Sequence, residues 1–141
     1  GWGNHLPRMA TWVRCRIEGR VVVFVSLHLD HDSGTARERG VACVLAQLEG
    51  LCPAGVAAIV AGDFNERRQD PARTRLAARL TDVTPPGPTW TPFDAPTPDA
   101  IDAVYCSDGL RPRGGWIDET RPGGTRPSDH LPVIVDLEAA P

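Results

Sequence analysis

The sequence contains no lysine, since all 15 of its basic residues are arginine. This absence excludes a Walker-type phosphate lysine, a Schiff-base lysine and a Ser-Lys dyad. The four cysteines form no C-x-x-C pair, so the spacing typical of a structural zinc site is missing. There is also no secretory h-region and no run of about 18 apolar residues. Stable membrane insertion is therefore not expected, and the cytoplasm is the favoured compartment.

The bulk composition is that of an ordinary globular protein. The chain has 141 residues, of which 41% are hydrophobic and 23% charged, and this length suits one domain. A formal charge of −3 gives no reason to expect a strong electrostatic grip on nucleic acid. A phosphate substrate remains compatible with this charge, because a bound divalent cation would change the local field.

Five apolar stretches predict strands, at residues 11–17, 21–27, 56–61, 101–106 and 132–137. The first two flank a turn at Gly19 and predict a hairpin. The second is nearly all apolar and rich in β-branched residues, which is typical of a strand buried on both faces. Strands mixed with few helices predict an α/β sandwich whose sheets are covered on one side.

Helices and loops separate these strands. Thr35 and Glu38 form a capping-box pattern, and Gly50 marks an end, so the intervening apolar i, i+3, i+4, i+7 pattern predicts an amphipathic helix. Residues 71–80 predict a short second helix. Residues 84–98 hold six prolines and predict an irregular loop, and residues 111–126 predict a loop around a brief strand at Trp116.

Polar motifs follow the apolar strands. Gly62-Asp63-Phe64-Asn65 comes directly after the third strand, where Gly permits a sharp exit and Asp63 and Asn65 would face one point in extended geometry. The carboxylate suits Mg²⁺ or an attacking water, and the amide can donate to a phosphate oxygen. The alternative is an ordinary turn, in which Asp and Asn are common.

Three further polar positions are candidates for the same site. Ser128-Asp129-His130 precedes the last strand, and a loop carboxylate beside a surface histidine is the alternative. His28 ends the second strand, where a satisfied core histidine is equally compatible. Asp102 lies within the fourth strand and needs a partner, for which a histidine is the obvious candidate. Asp30 and His31 are interpreted as structural or supporting residues.

The order of these motifs is more specific than any one of them: His28, Gly62-Asp63-Phe64-Asn65, Ile101-Asp102 and Ser128-Asp129-His130. In this order they resemble the endonuclease/exonuclease/phosphatase superfamily of DNase I-like metal-dependent hydrolases. The resemblance spans nearly the whole chain. It implies an α/β fold, namely the C-terminal part of a four-layer α/β/β/α sandwich with mixed, mainly antiparallel sheets.

The resemblance also implies roles for the matching residues in phosphoester hydrolysis. Asp63 would orient or activate the attacking water, and Asn65 would hold a phosphate oxygen. His130 would contact the phosphate or the water and be oriented by Asp102, while His28 would support the transition state or the leaving group. We expect these side chains to converge on one cleft, with Asp102 within hydrogen-bond reach of His130.

A metal site is implied as well. By resemblance, Asp129 and Asp63 would bind the metal. Oxygen ligands and the absence of Cys/His clusters favour Mg²⁺ or Mn²⁺ over Zn²⁺, which also argues against a zinc hydrolase. The expected reaction is in-line attack of water on phosphorus, with the metal offsetting charge on the leaving oxygen.

One departure from the family pattern leads to a competing hypothesis. The early Asn and the metal-binding Glu of the family's N-terminal half have no counterpart, so residues 1–141 are predicted to be a partial domain. No role is carried onto Glu18, Glu38, Glu49 or Glu66. Residues 1–141 alone are therefore expected to be inactive or nearly so, and only marginally stable. The alternative is a non-catalytic remnant or interaction module that keeps half of the fold.

The substrate is left open by the sequence. Nucleic acid, nucleotide, inositol phosphate and phospholipid esters all remain candidates, because loops choose among substrates in such folds. Residues 84–98 and 111–126 are expected to determine which substrate is accepted. The second loop could contact an anionic substrate through Arg111, Arg113, Arg121 and Arg126. The alternative is that these arginines are simply solvated loop residues. A complementing N-terminal segment is a further expected partner.

Overall fold

The structure is a computed structural model that describes residues 1–17, 19–93 and 98–140. Along the chain the elements are β1 (Ala10–Ile17), β2 (Arg20–His28), α1 (Gly34–Leu51), β3 (Ala57–Asp63), α2 (Pro71–Ala77), β4 (Thr81–Asp82), β5 (Asp102–Cys106), β6 (Leu110–Ile117), a 3-10 helix (Pro122–Gly124) and β7 (Val133–Ala139). Strands β1 to β5 form one mixed sheet, and β6 pairs with β7 in a second, smaller sheet. The predicted α/β class is confirmed.

The main sheet has the strand order β1-β2-β3-β5-β4. The predicted hairpin pairs β1 with β2, and α1 makes the crossover that allows β2 and β3 to run parallel. Strand β5 is antiparallel to β3. In this register His28 is opposite Asp63, and Asp63 is opposite Asp102. The topology therefore aligns the ends of three strands, each of which carries a polar side chain.

The hydrophobic core lies between the main sheet and the two helices. Side chains alternate along each strand, so one face of the sheet is apolar and packs against α1 and α2. The core residues include Val23, Val25, Leu27, Val41, Val44, Leu48, Val60, Leu76, Ala103 and Tyr105. None of the described helices is long and apolar enough to cross a bilayer. The polar strand ends lie on the opposite face.

The prediction that residues 21–27 are buried on both faces is wrong for the described structure. From Val23 to His28 burial alternates along β2, because only every second side chain faces the helices, although Val22 on the other face is also buried. On the other face Phe24 is 38% exposed, and its cross-strand neighbour Val13 is 54% exposed. A wholly apolar run therefore indicated a strand but did not fix how each face is covered.

The start of α1 also differs from the prediction. The helix begins at Gly34 rather than after Thr35, because the Ser33 side chain accepts a hydrogen bond from the Ala36 N–H at 3.1 Å. Ser33 is therefore the N-cap, and Thr35 lies within the first turn of the helix instead of capping it. Two hydroxyl residues spaced two apart offered two possible caps, and the earlier one is used.

The predicted loop at residues 111–126 contains more strand than expected. Residues Leu110–Ile117 pair with β7 over most of their length, with a bulge between Pro112 and Gly114. Proline and glycine are tolerated here because the strand has one partner and the bulge absorbs the irregularity. At Gly115 an added Cβ would lie 2.7 Å from the Ile134 carbonyl oxygen, so glycine permits the close pairing.

Candidate active site

Adjacent strand ends bring His28, Asp63 and Asp102 together. His28 ends β2, Asp63 ends β3 and Asp102 begins β5, and the pairing register places the three side by side. His28 Nε2 is 3.3 Å from Asp63 Oδ2. The His28 side chain is 56% exposed and faces away from the helices, so it is not a core histidine. The rigid sheet thus presents an imidazole and two carboxylates toward solvent.

Gly62 makes the close approach of β2 and β3 possible. Its φ of 146° lies in a region that favours glycine, and an added Cβ would lie 1.9 Å from the Leu27 carbonyl oxygen. No side chain fits at that distance. Since Leu27 precedes His28, this contact fixes the backbone on which the neighbouring His28 and Asp63 side chains stand. The glycine of the motif is therefore required by the packing of two adjacent strands.

Asn65 adopts a left-handed conformation with φ of 49°, which differs from the extended geometry expected from the sequence. Its backbone N–H donates to Asp63 Oδ1 at 2.8 Å. Its side-chain Nδ2 donates to the Leu29 carbonyl at 3.0 Å. The turn thus fixes the Asp63 carboxylate and ties the amide to the end of β2. Nδ2 also lies 3.4 Å from Asp63 Oδ2, so a substrate oxygen would have to replace this longer contact as the acceptor of the second amide hydrogen.

His130 lies against the two carboxylates. Its Nδ1 is 2.9 Å from Asp102 Oδ2, and its Nε2 is 4.0 Å from Asp63 Oδ2. When Nδ1–H donates to Asp102, Nε2 of the neutral ring is left as an acceptor that faces the Asp63 side of the site. The structure therefore brings together five of the predicted residues: His28, Asp63, Asn65, Asp102 and His130.

Thr89 and Trp90 fix the position of the His130 loop, and sequence reasoning assigned them no role. The buried Thr89 Oγ1 accepts from the Asp102 N–H at 2.9 Å, and its carbonyl accepts from the Leu131 N–H at 2.7 Å. Trp90 forms an isolated bridge with His130. One dipeptide thus holds both members of the Asp102–His130 pair.

Asp129 has a different environment from the other predicted residues. Its Oδ2 accepts a hydrogen bond from Trp90 Nε1 at 3.0 Å. This hydrogen bond is the main reason why the pKa of the Asp129 carboxyl is lower than usual. In the part of the chain that the structure describes, Asp129 is not a member of the carboxylate–histidine cluster. Its predicted role as a metal ligand therefore stays a prediction.

The Asp63 carboxylate is destabilised electrostatically. Desolvation by burial raises its pKa above the usual value, and the charge of Asp102 raises it further. The hydrogen bond from Asn65 and the nearby His28 and His130 oppose this shift without cancelling it. A cation beside Asp63 would relieve the penalty, because positive charge favours the ionised form.

The donor set fits a divalent cation. One ligand atom each from Asp63, Asp102 and His130 lies within 4.8 Å of the other two. Two carboxylates are the oxygen ligands that Mg²⁺ and Mn²⁺ prefer, while the imidazole is already engaged by Asp102. The residues present are therefore suited to a hard cation, with Asp63 and Asp102 as its carboxylate ligands.

A cavity of about 360 Å³ opens beside His130. Arg121 and Arg126 line it, whereas Arg111 and Arg113 form ion pairs with Glu138 on the neighbouring strand. Two of the four loop arginines considered as substrate contacts thus border the site. The predicted loop at residues 84–98 contributes Pro88 and Thr91, while its residues 94–97 lie outside the described part of the chain.

A family model matches most of the chain. Residues 2–130 match the model described as "Endonuclease/Exonuclease/phosphatase family", so the chain belongs to this family. The predicted resemblance is thereby confirmed. Comparison with curated protein sequences found no match.

Solved structures show the same fold. A protein from Bacteroides vulgatus described as an endonuclease/exonuclease/phosphatase is similar over 99% of this chain and 59% of its own, with 22% identity and a TM-score of 0.88. A mannosyl-6-phosphatase from Bacteroides thetaiotaomicron is similar over 98% of this chain and 60% of its own, with 25% identity and a TM-score of 0.82. The human Nocturnin catalytic domain with bound sulfate is similar over 94% and 53%, with 23% identity and a TM-score of 0.75. The chain therefore spans less than two thirds of these structures.

Proposed function

We propose that this chain forms the phosphate- and metal-binding part of a Mg²⁺- or Mn²⁺-dependent phosphoesterase. The observation that carries the proposal is the convergence of Asp63, Asp102 and His130 on one point, with His28 3.3 Å from Asp63. Such a group of carboxylates and imidazoles beside an open cavity suits a reaction in which water attacks a phosphate ester. Membership of the family supports the same class of chemistry.

In the proposed reaction a water oxygen forms a bond to phosphorus as the bond to the ester oxygen breaks. Asp63 orients the water and accepts its proton, and the raised pKa of this carboxyl suits it to that role. The leaving alkoxide takes up a proton from the site, so the products are an alcohol and a phosphate. Asn65 donates its second amide hydrogen to a non-bridging phosphate oxygen, in place of the long contact with Asp63 Oδ2.

The two histidines act on opposite sides of Asp63 in this proposal. Asp102 holds His130 through the 2.9 Å contact at Nδ1, so that Nε2 faces the phosphate or the water. His28 stabilises the pentacovalent transition state or the leaving oxygen, because its exposed ring lies beside Asp63. Among the described residues, no second carboxylate orients this ring as Asp102 orients His130. Asp63 would hold the metal, and Asp129 is proposed as a further ligand, which requires its carboxylate to exchange the Trp90 hydrogen bond for the ion. When bound, the metal supplies positive charge that offsets the charge developing on the phosphoryl and leaving oxygens.

The substrate is proposed to be a phosphate ester whose anionic part enters the cavity beside His130. Arg121 and Arg126 line this cavity and can offset negative charge. Arg126 also lies over the Phe93 ring, with 4.9 Å between the guanidinium carbon and the ring centroid, so its position is partly fixed. The mannosyl-6-phosphatase and the sulfate-bound Nocturnin domain support an anionic ligand only by analogy of fold.

Turnover of a chromogenic phosphodiester and of a panel of natural phosphate esters tests the proposal. In the full-length protein we expect activity with Mg²⁺ or Mn²⁺ that is lost on addition of EDTA and restored by excess metal, whereas residues 1–141 alone should show little or none. Asp63→Asn and Asp102→Asn should each abolish most of it, while Asp108→Asn, at an exposed turn residue, should not. Activity that survives EDTA would contradict the metal dependence.

The alternative function, a non-catalytic interaction module, makes the opposite prediction. It is favoured if the folded full-length protein shows no turnover on the full panel in any metal, and if Asp63→Asn leaves metal affinity unchanged. Isothermal titration with Mn²⁺ separates the two readings, because the proposed enzyme loses both metal affinity and turnover when Asp63 is replaced.

A further inference from the structure

A second group of potential metal ligands lies outside the candidate active site. It consists of His5 from the N-terminal segment 1–9, together with His31 and Asp32 from the loop between β2 and α1. His5 Nδ1 is 3.3 Å from Asp32 Oδ2, and His31 Nε2 is 3.4 Å from the same oxygen. His5 lies 26 residues before His31, so tertiary structure brings it to the adjacent pair His31-Asp32.

These separations match the edges of a metal coordination polyhedron. Zinc lies about 2.0–2.1 Å from an imidazole nitrogen or a carboxylate oxygen. At the tetrahedral angle, two ligand atoms of one ion are therefore about 3.3–3.4 Å apart. The Asp102–His130 hydrogen bond of 2.9 Å in the candidate active site is distinctly shorter. The Asp32 contacts are thus long for charge-assisted hydrogen bonds and suitable for ligands that share an ion.

The orientation of the imidazole rings agrees with this reading. The His5 and His31 ring centroids are 5.2 Å apart with an interplanar angle of 68°, an edge-to-face arrangement rather than a stack. All three side chains are between 44% and 61% exposed. A bound ion would therefore have an open fourth position for water, and it could reach the site directly from solvent.

Buried Asp30 preorganises the backbone of two of the three ligands. Its Oδ2 accepts from the His5 N–H at 3.0 Å, and its Oδ1 accepts from the Asp32 N–H at 3.1 Å. A further hydrogen bond from the Ser33 N–H at 2.8 Å fixes the start of α1. Because Asp30 itself is 2% exposed, these bonds are shielded from solvent. The N-terminal segment and the loop are thus held in register before any ion binds.

We propose that His5, His31 and Asp32 form a binding site for Zn²⁺ or a similar divalent transition metal, which clips residues 1–9 onto the loop between β2 and α1. Two imidazoles and one carboxylate favour Zn²⁺, Co²⁺ or Ni²⁺ over Mg²⁺, which prefers oxygen ligands. The site is therefore chemically distinct from the carboxylate-rich cluster around Asp63, and its existence does not depend on phosphoesterase activity.

Arg8 must change partner when this site is filled. Its Nη2 lies 3.0 Å from His31 Nδ1, which can accept a hydrogen bond only while Nε2 carries the ring proton. Coordination through Nε2 moves the proton to Nδ1 and ends that interaction. Arg8 Nε is buried without a hydrogen-bond partner among the described residues, 3.8 Å from Asp30 Oδ2. A small shift toward Asp30 would satisfy it, so metal binding is coupled to this arginine.

Spectroscopic titration of the tag-free protein with Co²⁺, followed by displacement with Zn²⁺, tests the proposal. Excess Mg²⁺ is kept present to occupy the carboxylate cluster around Asp63. We expect one equivalent of Co²⁺ to bind with a visible spectrum of low coordination number and without thiolate charge transfer. His5→Ala, His31→Ala and Asp32→Asn should each weaken binding by at least about 10–100-fold, the loss that even outer-sphere partners of a metal produce.

Asp108→Asn is the matched control, because it removes an exposed aspartate elsewhere and should leave Co²⁺ affinity unchanged. Ring ¹⁵N shifts give a second readout: those of His5 and His31 should move on addition of Zn²⁺, while His28 and His130 stay in place. Equal affinity in all four variants would overturn the proposal. So would a spectrum that is lost in Asp63→Asn but kept in His31→Ala, since the ion would then occupy the candidate active site.

Discussion

Asp30 and Asp63 are neighbours in the fold with opposite surroundings. Asp30 lies two residues beyond the end of β2, and Asp63 ends the adjacent strand β3. Asp30 accepts backbone hydrogen bonds from His5, Asp32 and Ser33, and its pKa is lowered to about 2, chiefly by the bond from Ser33. Asp63 has a raised pKa because burial is not offset by its few donors. A carboxylate that accepts several backbone hydrogen bonds stabilises a loop, whereas one with few donors is available for chemistry.

Glu66, which follows the Gly62-Asp63-Phe64-Asn65 motif, has surroundings like those of Asp30. It is 3% exposed and binds Arg37 Nε at 2.8 Å and the Ala72 N–H at 2.8 Å, so it links α1 to the first turn of α2. The sequence segments 28–30 and 63–66 therefore each combine a candidate functional residue with a buried structural carboxylate. Proximity in sequence does not separate the two classes, but the number of hydrogen-bond donors around each carboxylate does.

The largest effect should follow from replacing Asp63, the carboxylate with few hydrogen-bond donors. We expect Asp63→Asn to lower kcat/KM for the best phosphate ester by about 10³–10⁴-fold, since it removes the water-orienting group and a metal ligand together. Steady-state kinetics of the full-length protein and its Asp63→Asn variant at saturating Mg²⁺ measure this loss. Circular dichroism of the variant should match the unmodified protein. A loss below tenfold would place Asp63 with the structural carboxylates and break the comparison.

Removal of a satisfied carboxylate should instead damage stability. Glu66→Ala leaves Arg37 without its carboxylate and the Ala72 N–H without its acceptor, so it should lower the free energy of unfolding by about 3–5 kcal/mol. Urea unfolding measures the change, and Glu66→Gln serves if the alanine variant does not fold. Glu38→Ala, at an exposed position of α1, should change stability by less than about 0.5 kcal/mol. A small effect at Glu66 would show that its contacts are not essential.

This division explains which parts of the molecule were predictable from the sequence. Motif order predicted the family and the fold class, and both are confirmed. The resemblance predicted that His28, Asp63 and Asp102 would converge on one cleft, and the strand register places them side by side. Their catalytic roles stay predictions. Local patterns sufficed where a short motif fixes both conformation and chemistry, as Gly62 does for Asp63.

Contacts between distant segments were not predictable in the same way. Thr89 lies in a proline-rich loop, and nothing local indicates that its hydroxyl holds the Asp102 N–H 13 residues away. The assignment of residues 111–126 to a loop was wrong for β6 because glycine and proline are tolerated where a partner strand and a bulge accommodate them. The role of Glu66 depends on Arg37, which lies 29 residues earlier.

The pH dependence of stability gives a finer test of Asp30. Its folded-state pKa of about 2 lies below the ordinary 3.8, so the ionised form stabilises the fold fully above pH 3.8. That contribution is lost as the pH falls through about 2. Asp30→Asn should therefore be less stable than the unmodified protein at neutral pH, and the gap should narrow across this window. Urea titrations at several pH values measure it, and Asp108→Asn should show no such narrowing.

The smallest expected effect has the opposite sign. In EDTA, Asp63→Asn should raise the free energy of unfolding by about 1 kcal/mol, and Tm by about 3–5 °C, because it removes a carboxylate that burial and Asp102 destabilise. Asparagine keeps an oxygen that can accept the 2.8 Å hydrogen bond from the Asn65 N–H. Since the folded-state pKa of Asp63 is raised, the penalty applies fully above that pKa and disappears below 3.8, so the advantage of the variant should vanish in acid. Adding Mg²⁺ should stabilise the unmodified protein but not Asp63→Asn. The unmodified protein would then have the higher free energy of unfolding. If the variant is the less stable one in EDTA at neutral pH, Asp63 is a structural carboxylate like Asp30.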